Sequence, residues 1–181
     1  VRRWLRVRLN QRLTRDLYLD VIAIGGSPEA PTLGADVAPI EYAIRMKQFP
    51  QSDLLSAVQA RGELGNGQID QLAESIAHFH LAAPKVLAEN PLGSPETVRA
   101  PVSQNFEQIR PLLRESADLT QLDALQAWAD SSFERLEDLL AQRKAEGFVR
   151  ECHGDIHLGN AAVIDGQVVL FDCIEFNEPF R

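Results

Sequence analysis

Asp165-Gly166 stands between the runs Ala161-Ala162-Val163-Ile164 and Gln167-Val168-Val169-Leu170-Phe171, and it leaves the chain little choice there. A two-residue type I′ reversal needs positive φ at both central positions, which Asp-Gly tolerates and most pairs do not. The flanking runs must then pair antiparallel, with Ile164 opposite Gln167, Val163 opposite Val168 and Asn160 opposite Phe171. Asn160 and Asp172 therefore leave the same open end of one hairpin, and Asp155 lies in the loop that feeds it. Strict alternation would send Asn160 and Asp172 to opposite faces, so for both to reach one ion the ladder has to break at Gly159-Asn160.

Two carboxylates and an amide oxygen are hard donors. They suit Mg²⁺, which takes one or two carboxylates and completes its shell with water and substrate phosphates. A loop Asp, an Asn five residues on and an Asp after the next hairpin is also the order used for phosphoryl transfer. There the first Asp orients or deprotonates the acceptor hydroxyl, while the Asn and second Asp hold Mg²⁺ on the nucleotide. The pattern His-x-Asp-x4-Asn is met by His153, Asp155 and Asn160. Asp165, by contrast, is a turn former, and Glu175 reads as a structural or solvated acid.

The rest of the chain predicts an α+β arrangement. Residues 3–15 read as a helix with Leu5, Leu9 and Leu13 on one face. Residues 17–24 and 40–49 read as two strands, joined by a loop rich in Gly and Pro, which predicts an antiparallel pair. From residue 52 to about 146 the periodicity is helical, over 53–60, 68–81, 102–115 and 122–145. The breakers are Gly62, Gly65 and Gly67, then Pro84, then Pro91, Gly93 and Pro95, then 117–120. Ser52 and Asp70 are the expected caps or first-turn acids. Trp4, Phe79, Trp128 and Phe133 read as core anchors and Met46 as packing. His78 and His80, two apart on a helix, point about 200° from each other and cannot share an ion.

Charge excludes some partners. The formal net charge is −8, with 18 Lys and Arg against 26 Asp and Glu, the wrong sign for a nucleic-acid binder. Residues 1–15 nonetheless hold six arginines (Arg2, Arg3, Arg6, Arg8, Arg12 and Arg15) and no acid, which reads as one solvated helix face. No run approaches the ~18 apolar residues that span a bilayer. Two cysteines, Cys152 and Cys173, are too few for a disulfide framework and favour a reducing, cytoplasmic setting.

His153-Gly154-Asp155-Ile156-His157-Leu158-Gly159-Asn160 resembles the HGDxHxxN signature of the aminoglycoside phosphotransferase and choline kinase-like superfamily, which has a protein kinase-like fold. Arg8-Leu9-Asn10, Leu17-Tyr18-Leu19, Glu41 to Met46 with Phe49-Pro50, and Phe171 to Asn177 resemble a narrower bacterial set. In that set such a domain is fused to a downstream P-loop ATPase domain. The resemblance implies an ATP- and Mg²⁺-dependent O-phosphotransferase acting on a small-molecule hydroxyl. Asp155 would be catalytic, Asn160 and Asp172 the Mg²⁺ ligands, and His153 and His157 supports of the loop. Arg45, Met46 and Lys47 would lie where the last N-lobe strand meets the adenine hinge. Residues 1–50 would be a partial N-lobe, an αC-like helix and two strands, and 51–181 a partial, mainly helical C-lobe.

The sequence departs from the family's pattern at several points. No glycine-rich loop or lysine strand precedes the first helix, and that helix has no Glu to pair with such a lysine. No helices follow Asp172, and no GxxxxGK(S/T) segment occurs, so the chain reads as an internal fragment. A non-catalytic module that binds nucleotide or regulates a fused ATPase is the alternative reading. Another alignment makes Ala43-Ile44-Arg45 the lysine strand, with Lys47 as the phosphate contact and Glu63 as its partner. A dinuclear metallophosphoesterase is excluded, because it needs an Asn-His pair, and Asn160 is followed by Ala161.

Overall fold

The computed structural model describes residues 2–14, 16–34 and 39–180, with every side chain among them except that of Arg2. Arg15, the end of the expected first helix, lies outside the described residues. The chain divides into two compact units, Val1–Ala83 with Cys152–Arg181, and Pro84–Glu151. Helices and small antiparallel sheets together make it an α+β chain. Among the described residues no helix is long and apolar enough to cross a membrane.

The first unit opens with α1 (Arg2–Gln11), which ends in a turn where Leu13 and Thr14 both donate to the Asn10 carbonyl. Leu9 and Val7 are buried, and Trp4 is 60% exposed, so Trp4 is not the core anchor expected of it. Its position explains this, because Arg8, one turn on along the same face, is exposed as well. Strands β1 (Tyr18–Ser27) and β3 (Glu41–Met46) pair antiparallel, with Val21 opposite Ile44 and a bulge between Tyr18 and Asp20. The expected strand pair is in fact three strands. β2 (Ala30–Leu33), read from sequence as loop, adds to the far edge of β1 with Ile24 opposite Leu33. Its Pro31 falls on an edge strand, where a missing N–H costs the ladder little. Met46 is exposed rather than packed.

A 3₁₀ turn, Gln51–Asp53, leads into α2 (Leu55–Ala60) and then α3 (Asn66–Ala82). Neither Ser52 nor Asp70 caps these helices. α3 starts earlier than the periodicity indicated, and Gln68 reaches back to accept from the Gly65 N–H at 2.8 Å. The unit returns after residue 151 as a hairpin of β4 (Ala161–Ile164) and β5 (Gln167–Leu170). Ile164 faces Gln167 and Val163 faces Val168, and both Asp165 and Gly166 have positive φ, 52° and 77°. Leu55, Ala161, Val168 and Leu170 form one buried cluster, with Leu13, Leu72 and Ile76 packed on it. Val7, Leu17 and Tyr18 form another, joined by Val21, Ile44, Phe49 and Phe171. Each cluster draws on segments over a hundred residues apart in sequence. The core therefore ties the hairpin to the N-terminal helix and sheet.

The second unit is a pair of helices, α4 (Pro95–Ile109) and α5 (Ser116–Ala145). Two expected breakers are helical. Pro95 occupies the first helical position, where its missing N–H is no loss, and Ser94 caps the start by accepting from Thr97 N at 3.3 Å. Residues 117–120 lie in the first turns of α5. Trp128, expected in a core, is 69% exposed, and the half-buried Phe133 lies under the Arg99 guanidinium at 5.0 Å. The two ends of this unit are joined to each other. Val86 N donates to Val149 O at 3.0 Å, Glu151 N donates to Pro84 O at 2.9 Å, and Lys85 bridges Arg150.

Candidate active site

The β4–β5 ladder stops at Ala161–Leu170, and the chain on either side departs from it differently. On the incoming side, Leu158–Asn160 is a 3₁₀ turn in which Asn160 N donates to His157 O at 2.9 Å. On the outgoing side, Phe171 N still donates to Asn160 O at 3.0 Å, after which Asp172 takes φ of 66°. A left-handed aspartate outside a two-residue turn is uncommon and strained. The turn and the left-handed residue together break the alternation that would otherwise set Asn160 and Asp172 on opposite faces.

Asn160 is 7% exposed, and its Nδ2 donates to Asp155 twice, to the backbone oxygen at 3.0 Å and to Oδ2 at 3.1 Å. With the amide nitrogen engaged, the amide oxygen is the atom left to act as a ligand. The Asp155 carboxylate is half exposed, open to a substrate on its other side. His157 stands beside it, with Nε2 3.6 Å from Asp155 Oδ2. Its Nδ1 accepts from Gly159 N at 3.0 Å, which leaves Nε2 as the ring atom turned toward Asp155.

His153 is fully buried, and it links the two carboxylate-bearing segments. Nδ1 accepts from Asp155 N at 3.2 Å, and Nε2 donates to Phe171 O at 2.9 Å, one residue before Asp172. The bond to Nδ1 needs the neutral ring, because that nitrogen can accept only when it carries no proton. Burial pushes its pKa below the ordinary 6.5, outweighing the nearby charges of Asp155 and Asp172. The His153 carbonyl also accepts from Ile174 N at 2.9 Å, so the two segments run side by side.

Asp172 is held from the N-terminal side. Its N–H donates to Tyr18 Oη at 3.1 Å, and its Oδ1 pairs with Nη2 of Arg6. Arg6 Nη1 also lies 3.5 Å from Glu175 Oε1. Burial works against the guanidinium charge, yet Asp172 and Glu175 outweigh it and raise the Arg6 pKa. Burial pushes the Tyr18 hydroxyl up to about 12. One residue on, Cys173 N donates to Asn10 Oδ1 at 3.0 Å, and Asn10 Nδ2 donates to the Arg6 carbonyl at 2.9 Å. Asn10 is fully buried. Arg6, Asn10 and Tyr18 thus support this site without any signal of spacing to announce it. Asn10 and Tyr18 lie in two of the short patches that carry the sequence resemblance, but no role attached to them there.

The structure places Asp155, Asn160 and His153 in one bonded group, with His157 alongside and Asp172 joined through the Phe171 carbonyl. Arg45, Met46 and Lys47 bond elsewhere. Arg45 forms two bonds to Asp20, at 3.0 Å and 2.5 Å, and Met46 pairs across the sheet with Tyr18. Lys47 N donates to Leu17 O at 2.9 Å, and Lys47 Nζ lies 3.3 Å from Asp165 Oδ2 at the hairpin turn. The alternative pairing of Lys47 with Glu63 is not formed, because Glu63 is bound by Arg61 at 2.8 Å. Among the described residues no three His, Cys, Asp or Glu side chains converge as a metal site. The donors here are instead two carboxylates and an amide, the set that a hydrated Mg²⁺ accepts.

A profile described as "Phosphotransferase enzyme family" matches residues 46–174, which include His153, Asp155, His157, Asn160 and Asp172 but neither Glu175 nor the residues from α1 and β1. Uncharacterised proteins of two strains of Mycobacterium tuberculosis and of Mycobacterium bovis are each 23% identical over 173 residues. That match takes in 96% of this chain and 33% of each relative, so the chain spans about a third of the length of the curated relatives it matches. No solved structure gives a significant match. With nearly three quarters of its length matched to one family, and with the bonded Asp155–Asn160 pair inside the matched region, the chain belongs to the phosphotransferase enzyme family.

Proposed function

We propose that this chain carries the phosphoryl-transfer site of an ATP- and Mg²⁺-dependent small-molecule O-phosphotransferase of protein kinase-like fold. In this reading residues 1–50 belong to an N-lobe and residues 51–181 to a C-lobe. The observation that carries it is the Asp155–Asn160 pair, bonded at 3.1 Å and tied through His153 to the segment bearing Asp172. The donor chemistry fits the metal. Asn160 Oδ1 and the Asp172 carboxylate would hold Mg²⁺, and the positive guanidinium already drawn to Asp172 marks the place as electronegative. Mg²⁺ bound with ATP supplies charge neutralisation of the phosphates.

The protein's own part is positioning. Asp155 would accept a hydrogen bond from the acceptor hydroxyl on its exposed side and take its proton, as the acceptor oxygen bonds to the γ-phosphorus and the bond from that phosphorus to the bridging oxygen breaks to release ADP. Asn160 Nδ2 fixes the orientation of that carboxylate, and the neutral His153 ring fixes the loop that presents it. Holding reactants in line contributes most of what such a site can offer, because the protein does little covalent chemistry.

The test is a pair of variants in the full-length protein. Asp155→Ala should abolish turnover against a panel of hydroxyl acceptors while ATP affinity stays within about threefold, a difference worth under 1 kcal/mol. Asp172→Ala should remove the Mg²⁺-dependent part of ATP affinity. Undiminished turnover in Asp155→Ala refutes the assignment. Nucleotide binding without turnover against any acceptor would favour the non-catalytic alternative, a module regulating a linked ATPase. The link to a P-loop ATPase rests on sequence resemblance, and reading the coding DNA past residue 181 for a GxxxxGK(S/T) segment tests it. A cytoplasmic setting belongs to the same reading.

A further inference from the structure

α1 carries no acid to pair with a phosphate-binding lysine, and its Arg6 side chain reaches into the cluster. Its guanidinium lies between Asp172 and Glu175, and the three side chains together are one positive charge short of neutral. From this placement we infer that Arg6 is the cation by which the chain grips the phosphates of its nucleotide, an assignment that rests on the reading of Asp172 as a ligand of nucleotide-bound Mg²⁺. A metal ion on Asp172 would draw the phosphate oxygens of the nucleotide toward that carboxylate. A guanidinium already bonded to the same carboxylate then stands beside the place those oxygens would occupy.

Three further observations support the role. Arg6 sits mid-helix, with its backbone oxygen bonded by the buried Asn10, so the side chain projects from a rigid base. Guanidinium has five N–H donors, more than the contacts with Asp172, Glu175 and Tyr18 use, and its fork matches phosphate geometry. The side chain is about one-third exposed, dry enough to strengthen its charge interactions and open enough for a ligand to reach. With a divalent ion added, the local charge would turn positive, as a polyphosphate requires.

The experiment is calorimetric titration of the full-length protein with ATP, ADP and adenosine, each with Mg²⁺ and with EDTA. Charge-assisted hydrogen bonds contribute about 1.5–3 kcal/mol, or roughly tenfold to a hundredfold in affinity. Arg6→Ala should lower ATP and ADP affinity by that factor and leave adenosine affinity within about twofold. Arg6→Gln, similar in length but uncharged, should do the same if the alanine variant does not fold, and Arg6→Lys should restore part of the loss. Arg3→Ala, on the same helix but paired at the surface with Glu41 of β3, serves as the control and should change nothing. ATP affinity unaltered in Arg6→Ala, or adenosine affinity falling in parallel with ATP, overturns the assignment of Arg6 alone. Wild-type protein that binds no nucleotide overturns the proposed function and this assignment with it.

Discussion

His153→Ala is the substitution from which the most can be read. The ring is fully buried and makes two hydrogen bonds, to Asp155 N at 3.2 Å and to Phe171 O at 2.9 Å. Net contributions near 1 kcal/mol each, plus the cost of a part-buried Phe171 carbonyl left without its donor and of the cavity left by the ring, give about 3 kcal/mol. That is a large share of the 5–15 kcal/mol typical of a folded domain. The loss is also pH-dependent, with a definite sign. Burial lowers the His153 pKa in the folded state, so the unfolded chain takes up a proton near pH 6.5 more readily than the folded one. This contribution to wild-type stability is whole above pH 6.5 and is lost as pH falls below it. The alanine variant lacks the group, so the stability gap between the two proteins should be widest at pH 8 and narrower at pH 5.5. Urea unfolding followed by circular dichroism at the two pH values measures it. A gap under about 1 kcal/mol at pH 8, or one that widens at pH 5.5, refutes the argument.

Asn10→Ala leaves the fully buried Cys173 N–H without an acceptor and should cost about 2–3 kcal/mol in urea unfolding, whereas a loss below ~0.5 kcal/mol would mean the N–H finds another partner. Gly154 and Gly166 both have positive φ, 87° and 77°, but an added Cβ meets the Phe180 carbonyl at the first and open space at the second. Gly166→Ala should therefore cost about 1 kcal/mol and Gly154→Ala distinctly more, and equal melting temperatures for the two variants would contradict this. The Cys173 thiol is fully buried, and burial pushes its pKa up to about 11, so it should resist a disulfide-exchange reagent at pH 8 until denaturant is added. Mass spectrometry of labelled peptides decides the matter, and modification of Cys173 in the native protein would count against the packing described.

The parts of the site that were legible in the sequence are those written locally. Asp165-Gly166 determines a turn, the turn determines the register, and the register places Asn160 against Phe171, with a bond between them at 3.0 Å. The need for a break in the ladder was also visible, though not its means, a 3₁₀ turn on one side and a left-handed Asp172 on the other. Contacts made across the whole chain were not legible. Arg6 meets Asp172 and Asn10 meets Cys173 across more than 160 residues, and no periodicity or spacing encodes a pairing of that kind. Misreadings elsewhere have local causes. A proline is at home at the first helical position, which is where Pro95 stands in α4. Trp4 and Trp128 are exposed because a helix in so small a unit buries only one face, and an aromatic residue by itself does not say which face that is.

The pairing of residues 84–86 with 149–151 bears on how the chain finds its fold. Bringing together the ends of a 68-residue segment costs about 4 kcal/mol of chain entropy beyond a fixed constant. If that pairing forms early, Ala83 and Cys152 arrive as neighbours, and the segment bearing Asp155 reaches α1 and β1 as though joined to α3 by a short connection. The same arrangement separates length from function. Residues can be added or removed between α4 and α5 while the distance from the end of α3 to His153 stays as it is, so that stretch can change freely without the aspartate loop having to change with it.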